Sequence, residues 1–259
     1  MLLHHRLIGT GTPVILLHGL FGSGDNLNQL AQELAHHHQV LSLDLRNHGR
    51  SPHDPLMSYP LMAQDVVETM NHLEIGKADI IGHSMGGKVA MQLALQHGKK
   101  VNRLIVVDIA PVTYRASHHA VFRALDKLNQ QLPIINRKAA DALLEDEIDS
   151  PELRQFLLKN LMMDDESEGL VWRFGYSAIR QQYPQLLKAP SGPLPYTGDT
   201  LFIRGGDSEF IQPDHRLATL HAFPNAQLRE IPGAGHWVHV EKPRLFNAQV
   251  LRFLDDSAD

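Results

Sequence analysis

No cysteine occurs in the 259 residues, which excludes disulfides, thiolate metal ligands and a cysteine nucleophile, and fits a reducing compartment. No apolar run approaches the ~20 residues that a membrane-spanning helix needs. The opening Met1-Leu2-Leu3-His4-His5-Arg6 has no apolar core long enough for a signal peptide. The expectation is therefore a cytoplasmic protein with no membrane span. Lysine and arginine are scattered and the formal charge is -5, so there is no basic stripe and no nucleic-acid partner is expected. Internal repeats and low-complexity tails are also missing.

Histidine, by contrast, is plentiful at 17 residues, with runs at His36-His37-His38 and His118-His119. Adjacent histidines on a helix point apart, whereas a metal-binding pair needs a spacing of three or four, and H-E-x-x-H does not occur. These runs read as solvated helix ends, and no metal or cofactor is expected.

With 43% hydrophobic residues the chain can bury a sizeable core, and one domain with an insertion is expected. Short apolar runs at 14–17, 40–43, 79–81, 104–107, 201–203 and 227–231 alternate with helical stretches, the signature of a mostly parallel α/β sheet. Several of these runs are continuous rather than alternating, as in strands buried on both faces. Residues 27–36 have a helical apolar pattern. Another helix follows Ser58, a plausible N-cap with Pro60 in its first turn, where Met62, Val66, Met70 and Leu73 share a face. From about 113 to 199 the alternation stops. Apolar spacing of three and four predicts helices over 121–128, 139–148, 151–161 and 170–183, with no strand between them, and a Pro/Gly-rich linker at 188–199. The chain is read as a doubly wound core of residues 1–112 and 200–259 with a helical cap, 113–199, over the C-terminal sheet edge, where such sheets bind ligands.

Gly82-His83-Ser84-Met85-Gly86 follows the run ending at Ile81 and fits the G-x-S-x-G nucleophile elbow, a sharp strand-to-helix turn flanked by glycine because any Cβ would collide with backbone. Ser84 is the candidate nucleophile. A serine hydroxyl needs a base oriented by a third group, and Gly233-Ala234-Gly235-His236 after the last strand supplies the candidate base, His236, with His239 a weaker one. An oxyanion needs preorganised N–H donors. Met85 follows the nucleophile, and His18-Gly19-Leu20-Phe21 follows an earlier strand, so the Met85 and Leu20 amides are the candidates. His83 and the pair Asp44 and Arg46 read as local hydrogen-bonding and ion-pairing residues. Phe21, Trp172, Phe174 and Trp237 are candidate walls of an apolar acyl pocket, together with Met85.

The segments HGLFGSGDN (18–26), LDLRNHGRSP (43–52), IGHSMGGK (81–88), VVDIAPV (106–112), FIRGGDS (202–208) and GAGHWVHVEKP (233–243) resemble those of α/β-hydrolase-fold serine esterases of the bacterial YbfF type. The resemblance runs through nearly the whole core and is weaker in the cap. It implies hydrolysis of acyl esters, with acyl-CoA thioesters as further substrates.

Two aspartates compete as the acid. In many such hydrolases the acid stands three residues after the glycine that ends the seventh strand, and here that position, after Gly205, is Ser208. Asp207 comes one residue early. Asp108 ends the strand at 104–107, the sixth in the usual count of the fold, just before the cap. The resemblance implies Asp108 as acid with Ser208 as an auxiliary hydrogen-bonding group, and Asp207 is the alternative. A carbon–carbon bond hydrolase and a non-catalytic receptor that retains the triad are the other readings. Residues 137–168 carry ten acidic against four basic side chains, an awkward lip for a CoA handle.

Overall fold

A computed structural model describes residues 1–255; residues 256–259, the end of the stretch assigned above to the core, lie outside the described residues. Seven strands form the main sheet: β1 (His5–Ile8), β2 (Thr12–Leu17), β3 (His38–Leu43), β4 (Ala78–His83), β5 (Val101–Val107), and, after an insertion with strands of its own, β8 (Thr200–Gly205) and β9 (Ala226–Ile231). Their spatial order is β1-β3-β2-β4-β5-β8-β9. All neighbours pair in parallel except β1, which runs antiparallel to β3 along the edge. This short edge strand escaped the apolar-run reading because its four residues include His5 and Arg6. Asp108 follows the fifth strand of this chain, not a sixth.

The sheet divides the core in two. Val14, Leu16, Val40, Ile81, Ile105 and Val107 face one layer, packed with Leu30 and Leu34 of α1 (Asn28–Leu34) and Phe246 and Val250 of α10 (Pro243–Asp255). The alternate positions Ile15, Leu17, Leu41, Ile80, Leu104 and Val106 face the other layer, with α2 (Tyr59–His72) and α3 (Met85–His97). Burial on both faces is what the unbroken apolar runs require of central strands. Each fully buried Val, Leu or Ile contributes about 1.5–3 kcal/mol. Ser58 is the N-cap of α2 and Pro60 lies in its first turn.

After β2 the chain crosses to one side, to β3, and then past β2 to the other side, to β4. The carboxyl ends of β2 and β4 therefore flank a topological switch point, where the loops diverge and leave a crevice. The segment between β5 and β8 carries α4 (His119–Asn129), α5 (Arg137–Glu145), α6 (Pro151–Leu158) and α7 (Tyr176–Leu186). It is not helical throughout. β6 (Leu161–Asp164) and β7 (Gly169–Trp172) form an antiparallel hairpin across the acidic turn, with Glu168 at positive φ and the Ser167 N–H donating to Asp164 Oδ2 at 3.0 Å. Strands of four residues are too short for their alternation to stand out against a helical spacing. The third and fourth predicted helices consequently overran into β6 and β7. No helix among the described residues is long and apolar enough to cross a membrane.

Candidate active site

Ser84 sits between β4 and α3 with φ 53° and ψ -118°, a strained conformation for a residue with a side chain. The neighbouring glycines are obligatory. A Cβ on Gly82 would lie 2.2 Å from the Gly86 carbonyl oxygen, and one on Gly86 would lie 2.3 Å from that of Leu17. The turn thus holds the serine hydroxyl clear of its own backbone at the carboxyl end of the sheet.

His236 lies on the loop after β9. Its Nε2 is 3.0 Å from Ser84 Oγ and its Nδ1 is 2.8 Å from Asp108 Oδ2. With a carboxylate on Nδ1, the proton resides there, so Nε2 is free to accept from the serine. Phe210 stacks on the imidazole at 4.0 Å between ring centres. Two side chains hold the loop itself. His83 Nε2–H donates to the His236 carbonyl at 2.9 Å, and Glu241, on α9 (Val238–Glu241), accepts from the amides on either side of His236, those of Gly235 at 2.7 Å and Trp237 at 3.1 Å. Burial, followed by the neighbouring His239 and His236 imidazoles, holds His83 well below the usual histidine range, so this ring stays neutral. His239 packs against His83 rather than reaching Ser84, and burial lowers it to about 4.

Asp108 is wholly buried. Its Oδ1 accepts from the Gly205 amide at 3.0 Å, and its Oδ2 accepts from the Ser208 hydroxyl as well as from His236. Ser208 Oγ in turn accepts from the Phe210 amide at 3.2 Å. Asp207 is exposed, with its amide bonded to the Ala234 carbonyl at 2.9 Å. Ser84, Asp108, His236 and Ser208 are thus brought together, and Asp207 is not.

The loop after β2 is set by two buried histidines. His18 takes the Leu45 amide on Nε2 at 3.0 Å and donates from Nδ1 to the Gly19 carbonyl at 2.8 Å. His48 takes the Phe21 amide on Nε2 at 3.1 Å and donates from Nδ1 to the Arg46 carbonyl at 2.9 Å. Each acts as acceptor and donor only while neutral, and burial lowers His48 to about 3. The Phe21 amide is therefore occupied, whereas Leu20 lines the cleft beside Ser84, and Met85, as the first residue of α3, has an amide with no intrahelical partner. Asp44 accepts from the Gly24 and Arg50 amides at 2.7 and 2.8 Å. Burial pushes its carboxyl up, but those amides outweigh it and hold the group below its ordinary range. Arg46 forms a two-pronged pair with buried Asp65, at 2.6 and 2.8 Å.

Above Ser84 opens a cleft of about 660 Å³ whose walls include Leu20, Phe21, Val121, Leu153, Phe156 and Trp237. Trp172 and Phe174 are not part of it. They stack on each other at 4.7 Å, line a second, shallower groove, and reach the site only through Phe174, which backs Phe21 at 5.6 Å. Met85 is buried and does not line the cleft. Residues from the insertion that carried no motif also enter. Asn160 donates to the Phe21 carbonyl at 2.8 Å. His118 is not a solvated helix end: it lines the cleft, with Nδ1 2.7 Å from the Tyr183 hydroxyl, and burial lowers it to about 4. His38 likewise belongs to β3. Among the described residues there is no group of three or more histidine, aspartate or glutamate side chains able to hold a metal.

A family model described as the alpha/beta hydrolase fold matches residues 12–243. The chain is 40% identical to Esterase YbfF of Escherichia coli (strain K12), over 95% of this chain and 94% of that one. It is 41% identical to the sn-1-specific diacylglycerol lipase ABHD11 of Mus musculus, over 93% of this chain and 80% of the relative. A solved marine microorganism esterase superposes with a TM-score of 0.92 at 38% identity, covering 97% of this chain and 99% of that one. With this fold, and relatives near 40% identity along almost its whole length, the chain belongs to the α/β-hydrolase fold family.

Proposed function

We propose that this carboxylic ester hydrolase works by acyl transfer through Ser84. The Ser84 hydroxyl attacks the ester carbonyl as its proton passes to His236 Nε2. Asp108 holds Nδ1–H and stabilises the imidazolium. The Leu20 and Met85 amides receive the oxyanion. His236 then returns the proton to the leaving alcohol, and a water activated by the same imidazole releases the acyl group. Ser208 and the Gly205 amide keep the Asp108 carboxylate oriented. The observation that carries this reading is the unbroken chain Ser84–His236–Asp108, at 3.0 and 2.8 Å, built on a strained elbow.

The segment 113–199 acts as a cap, and the apolar cleft beneath it takes the acyl chain. Carboxylic esters are the main proposed substrates and acyl-CoA thioesters secondary ones, because the acidic excess of residues 137–168 repels the phosphates of CoA. The test is pre-steady-state hydrolysis of p-nitrophenyl esters of graded acyl length, with one acyl-CoA included. A burst of nitrophenol that disappears in Ser84→Ala is expected. Absence of turnover across all acyl lengths overturns the proposal.

A further inference from the structure

Lys88 is 1% exposed, one turn into α3, with its amide bonded to the Ser84 carbonyl at 3.1 Å. A lysine so placed loses its hydration, and an apolar residue of similar length would fill the space without that cost. Its Nζ meets three main-chain carbonyls, those of Val112 at 2.9 Å, Leu187 at 3.0 Å and Lys188 at 2.7 Å. An ammonium has three donors, and all three are used.

These carbonyls come from both roots of the insertion. Val112 lies where the chain leaves β5, and Leu187 and Lys188 lie just after α7, where it turns back toward β8. The rings of Tyr114 and Tyr59 face the ammonium at 4.7 and 5.5 Å, a cation–π arrangement. Both tyrosines are tied to the same roots. The Tyr114 amide donates to the Leu187 carbonyl at 2.9 Å, and the Tyr59 hydroxyl donates to that of Leu186 at 2.5 Å. One turn further along α3, Gln92 exchanges two hydrogen bonds with the Ser191 main chain.

We propose that Lys88 is a positioning residue: its ammonium fastens both roots of the 113–199 segment to the helix that carries Ser84, and so sets how closely that segment encloses the acyl chain. The proposal rests on the acyl-transfer reading above for its effect on substrates, whereas the fastening itself can be measured without any substrate. Burial pulls the ammonium down to about 7, against the hold of the three carbonyls and two ring faces. The titratable groups facing it are the Tyr59 and Tyr114 phenols, both pushed up by burial and uncharged at neutral pH. No carboxylate pairs with it among the described residues. A neutral amine has two donors for three carbonyls, so deprotonation releases one attachment.

The experiment compares p-nitrophenyl acetate and octanoate in wild type, Lys88→Met and Lys88→Arg. In Lys88→Met the octanoate KM rises about tenfold, the scale of one charged hydrogen bond, while acetate kcat stays within about twofold, and Lys88→Arg recovers part of the octanoate loss. A lower melting temperature with an unchanged octanoate-to-acetate ratio overturns the proposal. Amide exchange of wild type and Lys88→Met at one pH reads the fastening if wild type hydrolyses neither ester, with Lys88→Gln in place of the methionine variant if that one does not fold. Protection is expected to fall in the variant around residues 112–115 and 187–191 but not in β4, and equal protection in both proteins overturns the proposal. Absence of wild-type ester turnover counts against the acyl-transfer reading alone.

Discussion

Ser208 donates its hydroxyl proton to the same Asp108 oxygen that accepts from His236 Nδ1. That oxygen thus carries two donors inside a wholly buried carboxylate whose other oxygen holds the Gly205 amide. Asp207 is exposed and takes no part in this cluster.

The first prediction separates these residues. Asp108→Asn is expected to lower kcat by about 10⁴-fold, because an amide in place of the carboxylate favours the wrong histidine tautomer. Ser208→Ala removes one hydrogen bond to a charged group, a loss of roughly 1.5–3 kcal/mol or about 10- to 100-fold. Asp207→Asn should leave kcat within about twofold. Steady-state kinetics on one short ester decide all three, and a large loss in Asp207→Asn alone would reverse the assignment.

A second concerns Glu241, which clamps the amides on both sides of His236 from an exposed position. Glu241→Gln keeps one acceptor oxygen and turns the other into a donor facing an N–H. The loop then loses one of its two restraints. We expect kcat to fall about 5- to 20-fold, on the scale of one charge-assisted hydrogen bond, with KM nearly constant and with melting changed little, as for most surface substitutions. Equal losses in kcat and in melting temperature would reduce Glu241 to a purely structural role.

Glu241 also marks where sequence reasoning stops. Ser84 and His236 stand in glycine-flanked stretches directly after apolar runs, so their motifs could be read locally, and the alternation of runs and helices was enough to place both at one sheet edge. Asp108 needed more than its own surroundings, since Asp207 is also an aspartate and lies nearer the usual place: the resemblance to YbfF-type esterases favoured Asp108, and burial and distance are what bring it to His236. Glu241, Asn160 and Lys88 act through main-chain amides and carbonyls, close in the chain for Glu241 and far away for the other two, and such partners leave no pattern in side-chain identity. The β6–β7 hairpin is hidden because Leu157 and Leu161, and likewise Leu170 and Phe174, stand four apart, a spacing that a helix would share.

Stability should depend on acid through the buried histidines. His48 ionises near 6.5 when unfolded and at about 3 when folded, and His118 and His239 at about 4. Between these limits the unfolded chain binds protons that the folded chain does not, so stability is complete above about pH 6.5 and falls as pH drops toward 3–4. Each such histidine contributes a slope of about 1.4 kcal/mol per pH unit. His48→Gln keeps an acceptor for the Phe21 amide but cannot titrate, and it should remove about one such slope from chemical denaturation midpoints measured between pH 6 and 4. An unchanged slope would mean that His48 is protonated in the folded state.

The walls of the cleft yield the last prediction. Phe156 and Trp237 meet at 6.1 Å over the opening above Ser84, whereas Trp172 is stacked on Phe174 away from it. Removing Phe156 opens space that an acyl chain can occupy, and the gain or loss of a methylene in such a pocket is worth about 1–3 kcal/mol, or 10- to 200-fold in kcat/KM. Phe156→Ala is therefore expected to move the optimum toward longer or branched acyl groups by at least tenfold relative to acetate. Trp172→Ala should leave the acyl-length profile unchanged while lowering the melting temperature, since it strips the stacking partner of Phe174, which in turn backs Phe21. A profile that shifts in Trp172→Ala and not in Phe156→Ala would place the acyl chain in the other groove, on the far side of Phe174.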